Sequence, residues 1–200
     1  MRIISLIISI LFHPMLMPLL GIFLIFQSGT HISYMPFEAK RIIYFVVAIT
    51  SCILPLSALP LLYQLKIIKS FRMETARERF IPILLTAFFY YMGYLLLRKM
   101  GVPTMIDRFI LSTLIVIIGA SIISYFWKIS LHMAGIGGVT GAIIALSFRY
   151  EFDMTMWIAL LLIASGLTAS ARLHLGDHNP LQVYAGYFFG FVIVVGTILI

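Results

Sequence analysis

Charge is scarce in this chain. Of its 200 residues, 10% are Asp, Glu, Lys or Arg, where a soluble domain of this size carries about 25%. Hydrophobic residues make up 62%, and mean hydropathy is +1.10. That shortfall takes the chain out of the ordinary soluble class and into the membrane class. Cysteine is scarcer still. Cys52 stands alone inside an apolar run, so an intrachain disulfide and a cysteine-built zinc cluster are both excluded. Acidic residues number 7 against 14 basic ones, a net charge of +7. In a soluble protein that excess would raise nucleic acid as a partner. Here the cations sit in short segments beside hydrophobic runs, so the expected partners are the lipid bilayer and phosphate groups, and no nucleic acid.

Long hydrophobic runs are what the chain does have. Stretches free of Asp, Glu, Lys and Arg cover 3–37, 42–65, 80–97, 109–127, 129–148, 154–171 and 178–200. A helix needs roughly 20 apolar residues to cross the hydrocarbon core. The first stretch holds one span followed by the turn-like "QSGTHISYMP". It is too long for the h-region of a signal peptide and has no clear small-x-small cleavage site, so it reads as a retained span. Pro14 and Pro18 predict that it is kinked or partly interfacial. The expected fold is an all-α integral membrane protein, a bundle of six to seven transmembrane helices. It forms a single domain over 1–200, with N-terminal spans in 1–65 and a core in 66–200.

Counting spans places three polar segments on one membrane face. The first, "RMETARERFIP" at 72–82, carries Arg72, Arg77 and Arg79 with Glu74 and Glu78. Arg72 and Arg79 are seven apart and share a helix side. By itself this also reads as a basic loop against lipid heads. The second, "WKISLHMAGIGGVTGA" at 127–142, opens a helix with Ser130 and His132 and then carries Gly135, Gly137, Gly138 and Gly141. Glycines let helix backbones approach, and a helix N-terminus suits phosphate. Ser130 reads equally as an N-cap, and His132 as an interfacial histidine. The third, "ARLHLGDHNPLQVYAG" at 171–186, places Arg172, His174, Asp177 and His178 just before the last span. His178 and Gln182 are four apart, so the Gln182 carbonyl can hold one ring N–H and leave the other nitrogen free. Asp177 reads as a helix N-cap. The plainer reading makes the two histidines interfacial and lets Arg172 snorkel.

A metal site is a rival. His174 and His178 have ligand spacing, and Asp177 or His132 could join them. No clear third and fourth ligands follow, and three arginines on the same face favour an anion over a cation. No metal or other cofactor is expected.

In order and spacing, the three segments resemble the type 2 phosphatidic acid phosphatase superfamily, whose signature is K-x6-R-P, then P-S-G-H, then S-R-x5-H-x3-D. Arg72 stands for the lysine and Arg79 for the arginine, with Phe80 in place of the proline. "ISLH" at 129–132 keeps Ser130 and His132. In the last motif Ala171 replaces the serine, Arg172 and His178 match, and Gln182 replaces the aspartate. The resemblance covers about 72–190. It implies a metal-independent phosphatase acting on a lipid phosphate or pyrophosphate. In that scheme His178 is the nucleophile and forms a phosphohistidine, and His132 protonates the leaving oxygen. Arg72, Arg79, Arg172 and Ser130 bind the substrate phosphate, and Gln182 orients His178. Gln182 can position an imidazole but cannot neutralise its charge, so the alternative function is a catalytically weak phosphate-lipid-binding or regulatory membrane protein on the same fold. A small transporter ranks third, because it would need ionisable residues at mid-span.

The orientation is not set by charge. Eight Lys and Arg fall on the side of the three segments and six on the other. Removing the three proposed clamps leaves the two sides nearly equal, so the positive-inside rule does not decide. By resemblance, the expected setting is a bacterial inner membrane with a periplasmic site. The oligomeric state stays open.

Overall fold

The computed structural model describes residues 2–69 and 76–200, with side chains in the second stretch from Phe80 onward. The described residues are almost wholly helical: α1 (Arg2–Leu11), α2 (Met17–Phe26), α3 (Phe37–Ala48), α4 (Leu54–Gln64), α5 (Ala76–Lys99), α6 (Thr104–Phe126), α7 (Leu131–Tyr150), α8 (Thr155–His174) and α9 (Pro180–Leu199). Seven helical segments are long and apolar enough to cross a membrane. Two of them are interrupted. A π-helical turn, Ile49–Ile53, joins α3 to α4. In the first segment the helix stops after α1, and a 3-10 turn, Pro14–Leu16, restarts the chain into α2.

The prolines explain that break. Pro14 and Pro18 have no N–H to give a helix, so each is stable only in a first turn. Both occupy such positions, at the starts of the 3-10 turn and of α2. The His13 ring lies 5.4 Å from that of His132 at the start of α7. A side chain at Gly29 would meet Phe152, just past the other end of α7. The crossing therefore runs from His13 to Gly29. α1 is a separate arm packed on α8, with Ser5 and Ser9 as its buried residues.

The centre of the bundle is α7 against α9, and glycine is what permits it. A Cβ at Gly137 would overlap the backbone of Tyr187, and one at Gly190 the backbone of Ala134. A Cβ at Gly186 would lie 2.6 Å from the Ser130 carbonyl oxygen, and one at Gly141 2.8 Å from that of Phe191. The small-residue rows of two helices thus face each other, which dispersion forces reward in lipid as in water. The Ser130 N–H donates to the Gln182 carbonyl at 3.3 Å, which ties the two helix starts together.

The turn from α8 into α9 is built for a sharp reversal. Gly176 has φ +73°, a conformation that side-chain-bearing residues rarely adopt. Asn179 caps α9: its side chain accepts the Gln182 N–H at 3.0 Å, and the Gln182 side-chain carbonyl accepts the Asn179 N–H at 3.2 Å. Pro180 follows as the first helical residue, where its fixed φ suits a helix start. Asn179→Ala is expected to lower stability by about 1 kcal/mol, read as a lower melting temperature in detergent.

Candidate active site

Three imidazoles and a guanidinium meet at one end of the bundle. His13, His132, Arg172, Asp177 and His178, with Lys128, line one end of a cavity of about 430 Å³. Each arrives from a different piece of chain: the break in the first segment, the start of α7, the end of α8, and the turn before α9. Span counting anticipates this convergence for the second and third segments. The start of α5 lies at the same end, since the Phe80 ring sits edge-on to Tyr125 at 5.9 Å. Arg79 occupies the preceding turn of that helix, and its side chain is not described. Arg72 lies outside the described residues.

The hydrogen bonds fix the protonation of each ring. Gln182 Oε1 accepts the Asn179 N–H, so the amide is oriented with its oxygen toward the turn. His178 Nδ1 lies 3.2 Å from the same oxygen. An oxygen only accepts here, so Nδ1 carries the proton and Nε2 keeps its lone pair. His132 Nε2–H donates to the Ser9 carbonyl at 3.1 Å, leaving Nδ1 without its proton. His13 Nδ1 accepts the Met15 N–H at 3.4 Å, which puts its proton on Nε2. The cavity end therefore presents two nitrogen lone pairs and one N–H.

Burial holds the His178 pKa below the ordinary 6.5. The hydrogen bond to Gln182 opposes this, the charges of Arg172 and Lys128 lower the pKa further, and Asp177 raises it. The ring is neutral at pH 7, the form a nucleophile needs.

Arg172 is gripped on two sides. Nη2 pairs with Asp177 Oδ2 at 2.6 Å, and Nη1 donates to the Ser9 hydroxyl at 3.1 Å. Its Nε is buried and has no partner. A guanidinium has five N–H donors in a planar fork, so an edge is left for an anion. Removing the carboxylate would leave the cation half-buried and unopposed. Asp177→Asn is expected to weaken inorganic vanadate binding about tenfold or more if the pair positions Arg172, and to tighten it if Asp177 instead competes with the anion.

Two expectations need correction. Ser130 does not line the cavity. It is fully buried, and its hydroxyl accepts the Met133 N–H at 3.5 Å as the cap of α7; contact with Gly186 closes it in. Asp177 is not the cap of α9. Asn179 takes that role, which frees Asp177 to pair with Arg172. His174 is exposed at the end of α8 and does not line the cavity. Among the described residues, no three His, Cys, Asp or Glu converge as metal ligands would.

Ser9 and His13 are the residues that motif reading missed. Both are polar groups in an apolar run, and "FHPM" joins a histidine to a helix-breaking proline. That combination signals a functional break inside a span. The chain matches no family model, no curated protein and no solved structure.

Proposed function

We propose that the chain is an integral-membrane phosphatase of the type 2 phosphatidic acid phosphatase kind, acting on a lipid phosphate or pyrophosphate. One observation carries the reading. His178 is held by Gln182 with Nε2 unprotonated, in the same cavity end as His132 and Arg172.

The chemistry follows from those atoms. His178 Nε2 attacks phosphorus, and the bond from phosphorus to the ester or bridging oxygen breaks. His132 Nδ1, unprotonated in the resting site, takes the proton that the phosphate monoanion carries and passes it to that oxygen, while the Ser9 carbonyl accepts Nε2–H and steadies the ring. Water then attacks the phosphohistidine. His132 takes one water proton and hands it to the departing phosphate, and His178 is released neutral. Arg172, with Arg72 and Arg79 by resemblance, holds the phosphoryl oxygens as charge gathers on them. Ser130 contributes through the α7 start it caps.

Gln182 favours a second reading, an anion-binding protein with little turnover. An amide orients His178 but does not offset the positive charge that forms on it, and the nearby Asp177 is engaged by Arg172. By resemblance, the setting is a bacterial inner membrane with the site toward the periplasm.

Incubating the purified protein with phosphatidic acid, phosphatidylglycerol phosphate and isoprenyl pyrophosphate tests the first reading. Phosphate release supports it; bound lipid phosphate without release supports the second. Because the His178 pKa is lowered, the acidic limb of kcat/KM is expected below pH 6.5. Gln182→Glu keeps the acceptor oxygen and adds charge, so it raises that pKa and moves the limb to higher pH. An unmoved limb would show that the ring titrated is not His178.

A further inference from the structure

Past its polar end, the cavity continues deep into the bundle. On α6 its wall runs from Ser124 to Phe109, about 22 Å of helix at 1.5 Å per residue. Half of a bilayer's hydrocarbon core is about 15 Å, so the slot passes the midplane. At about 30 Å³ for each water-sized group, its volume of about 430 Å³ takes about fourteen methylene-sized groups.

Its deep walls carry no charged side chain among the described residues. The two threonine hydroxyls there are turned back onto their own helices. Thr86 donates to the Pro82 carbonyl at 2.8 Å, and Thr113 to the Ile110 carbonyl at 2.7 Å. Each threonine therefore offers little but its methyl. The charges and imidazoles stand at the mouth. A long, apolar slot that ends in a cationic mouth matches an amphiphile with an anionic head and an apolar tail.

We propose that this slot holds a single hydrocarbon chain of a phosphate or pyrophosphate ester, its head among His132, Arg172 and His178 and its tail lying along α6 inside the protein. About fourteen methylene-sized groups are fewer than the two tails of a diacyl lipid carry, so a one-chain ester is preferred over a diacyl lipid. Depth along α6 then sets the preferred chain length. The placement of the head rests on the phosphatase reading; the slot rests on the shape of the cavity.

Binding of n-alkylphosphonates from C6 to C20 to the full chain, purified in detergent, tests this without hydrolysis. Affinity is expected to rise by at most about fourfold per methylene and to level off near C14. Ala120 lies about 6 Å along α6 from Ser124, and Thr113 about 16 Å. Ala120→Phe is expected to move the break to shorter chains than Thr113→Phe does, with hexylphosphonate binding within twofold of wild type in both. Should Ala120→Phe not fold, Ala120→Leu takes its place in the comparison. Affinity independent of chain length, a break unmoved by either variant, or tighter binding of dioleoyl phosphatidic acid than of a C14 phosphonate would overturn the slot. Equal binding of the matching n-alkanols would overturn the placement of the head. A length break without phosphate release from the matching alkyl phosphates would remove the phosphatase and leave the slot standing.

Discussion

His178→Ala is expected to reduce phosphate release on the order of 10⁶-fold, the scale seen when a covalent nucleophile is removed from a hydrolase. The reasoning starts from the ring itself. Nδ1 is committed to Gln182, so Nε2 is the one ring atom with a lone pair to give. Without it no phosphoenzyme forms, and Arg172 and His132 can only bind and polarise the ester. The variant should stay folded. His178 lies in a turn, half-buried, and the cap made by Asn179 and Gln182 does not need its ring. Its melting temperature should match the wild type, and vanadate or phosphate binding should persist in weakened form through Arg172. A loss of only a few-fold would assign the attack to another group or to water.

Gly190→Leu is expected to have the largest effect on the fold. Even a Cβ at this position would overlap the Ala134 backbone, and a backbone cannot rotate aside as a side chain can. α7 and α9 must separate along their most extensive contact. Overpacking of a tight core typically costs about 1–3 kcal/mol, and a clash with rigid backbone at the bundle centre falls at or above the upper end. The result should be a large fall in melting temperature in detergent, or failure to accumulate in the membrane. Gly196→Leu is the control on the same helix. A Cβ there meets nothing within 4 Å, so it should melt with the wild type. The two glycines also separate packing from catalysis, because α7 carries His132 and α9 carries Gln182. A partly folded Gly190→Ala should lose activity along with stability, whereas His178→Ala loses activity alone. Equal melting of the Gly190 and Gly196 variants would contradict the packing described here.

Much of the architecture can be read from charge placement. Charged residues are costly in hydrocarbon, so the stretches that lack them mark the spans. The boundaries agree within three residues for α7 to α9, whereas α6 begins five residues before its charge-free stretch, because its first turns carry Asp107 and Arg108. The four-residue spacing of His178 and Gln182 anticipates their hydrogen bond, because it depends only on helix geometry around a local turn. Residues whose roles are set by tertiary contact are less legible. Ser9 meets His132 and Arg172 across more than a hundred residues of sequence, and no local pattern signals such a meeting. Ser130 shows the converse. Its position in a motif suggests a ligand contact, yet the helix start it caps is pressed so close to α9 that its hydroxyl is sealed in. Asp177 is likewise drawn off the cap by Arg172, one helix earlier. The first segment holds both lessons: its prolines announce a break, but not that the break carries His13 into the site.

The central claim is covalent chemistry at one atom, His178 Nε2. Rapid quenching during turnover of a phosphorus-labelled substrate, followed by alkaline digestion conditions that preserve phosphoramidates, tests it directly. The account predicts acid-labile, base-stable phosphate on the peptide containing residue 178, absent in His178→Ala. Steady phosphate release with no label at that residue, or with the label on His132 or His13, would contradict it.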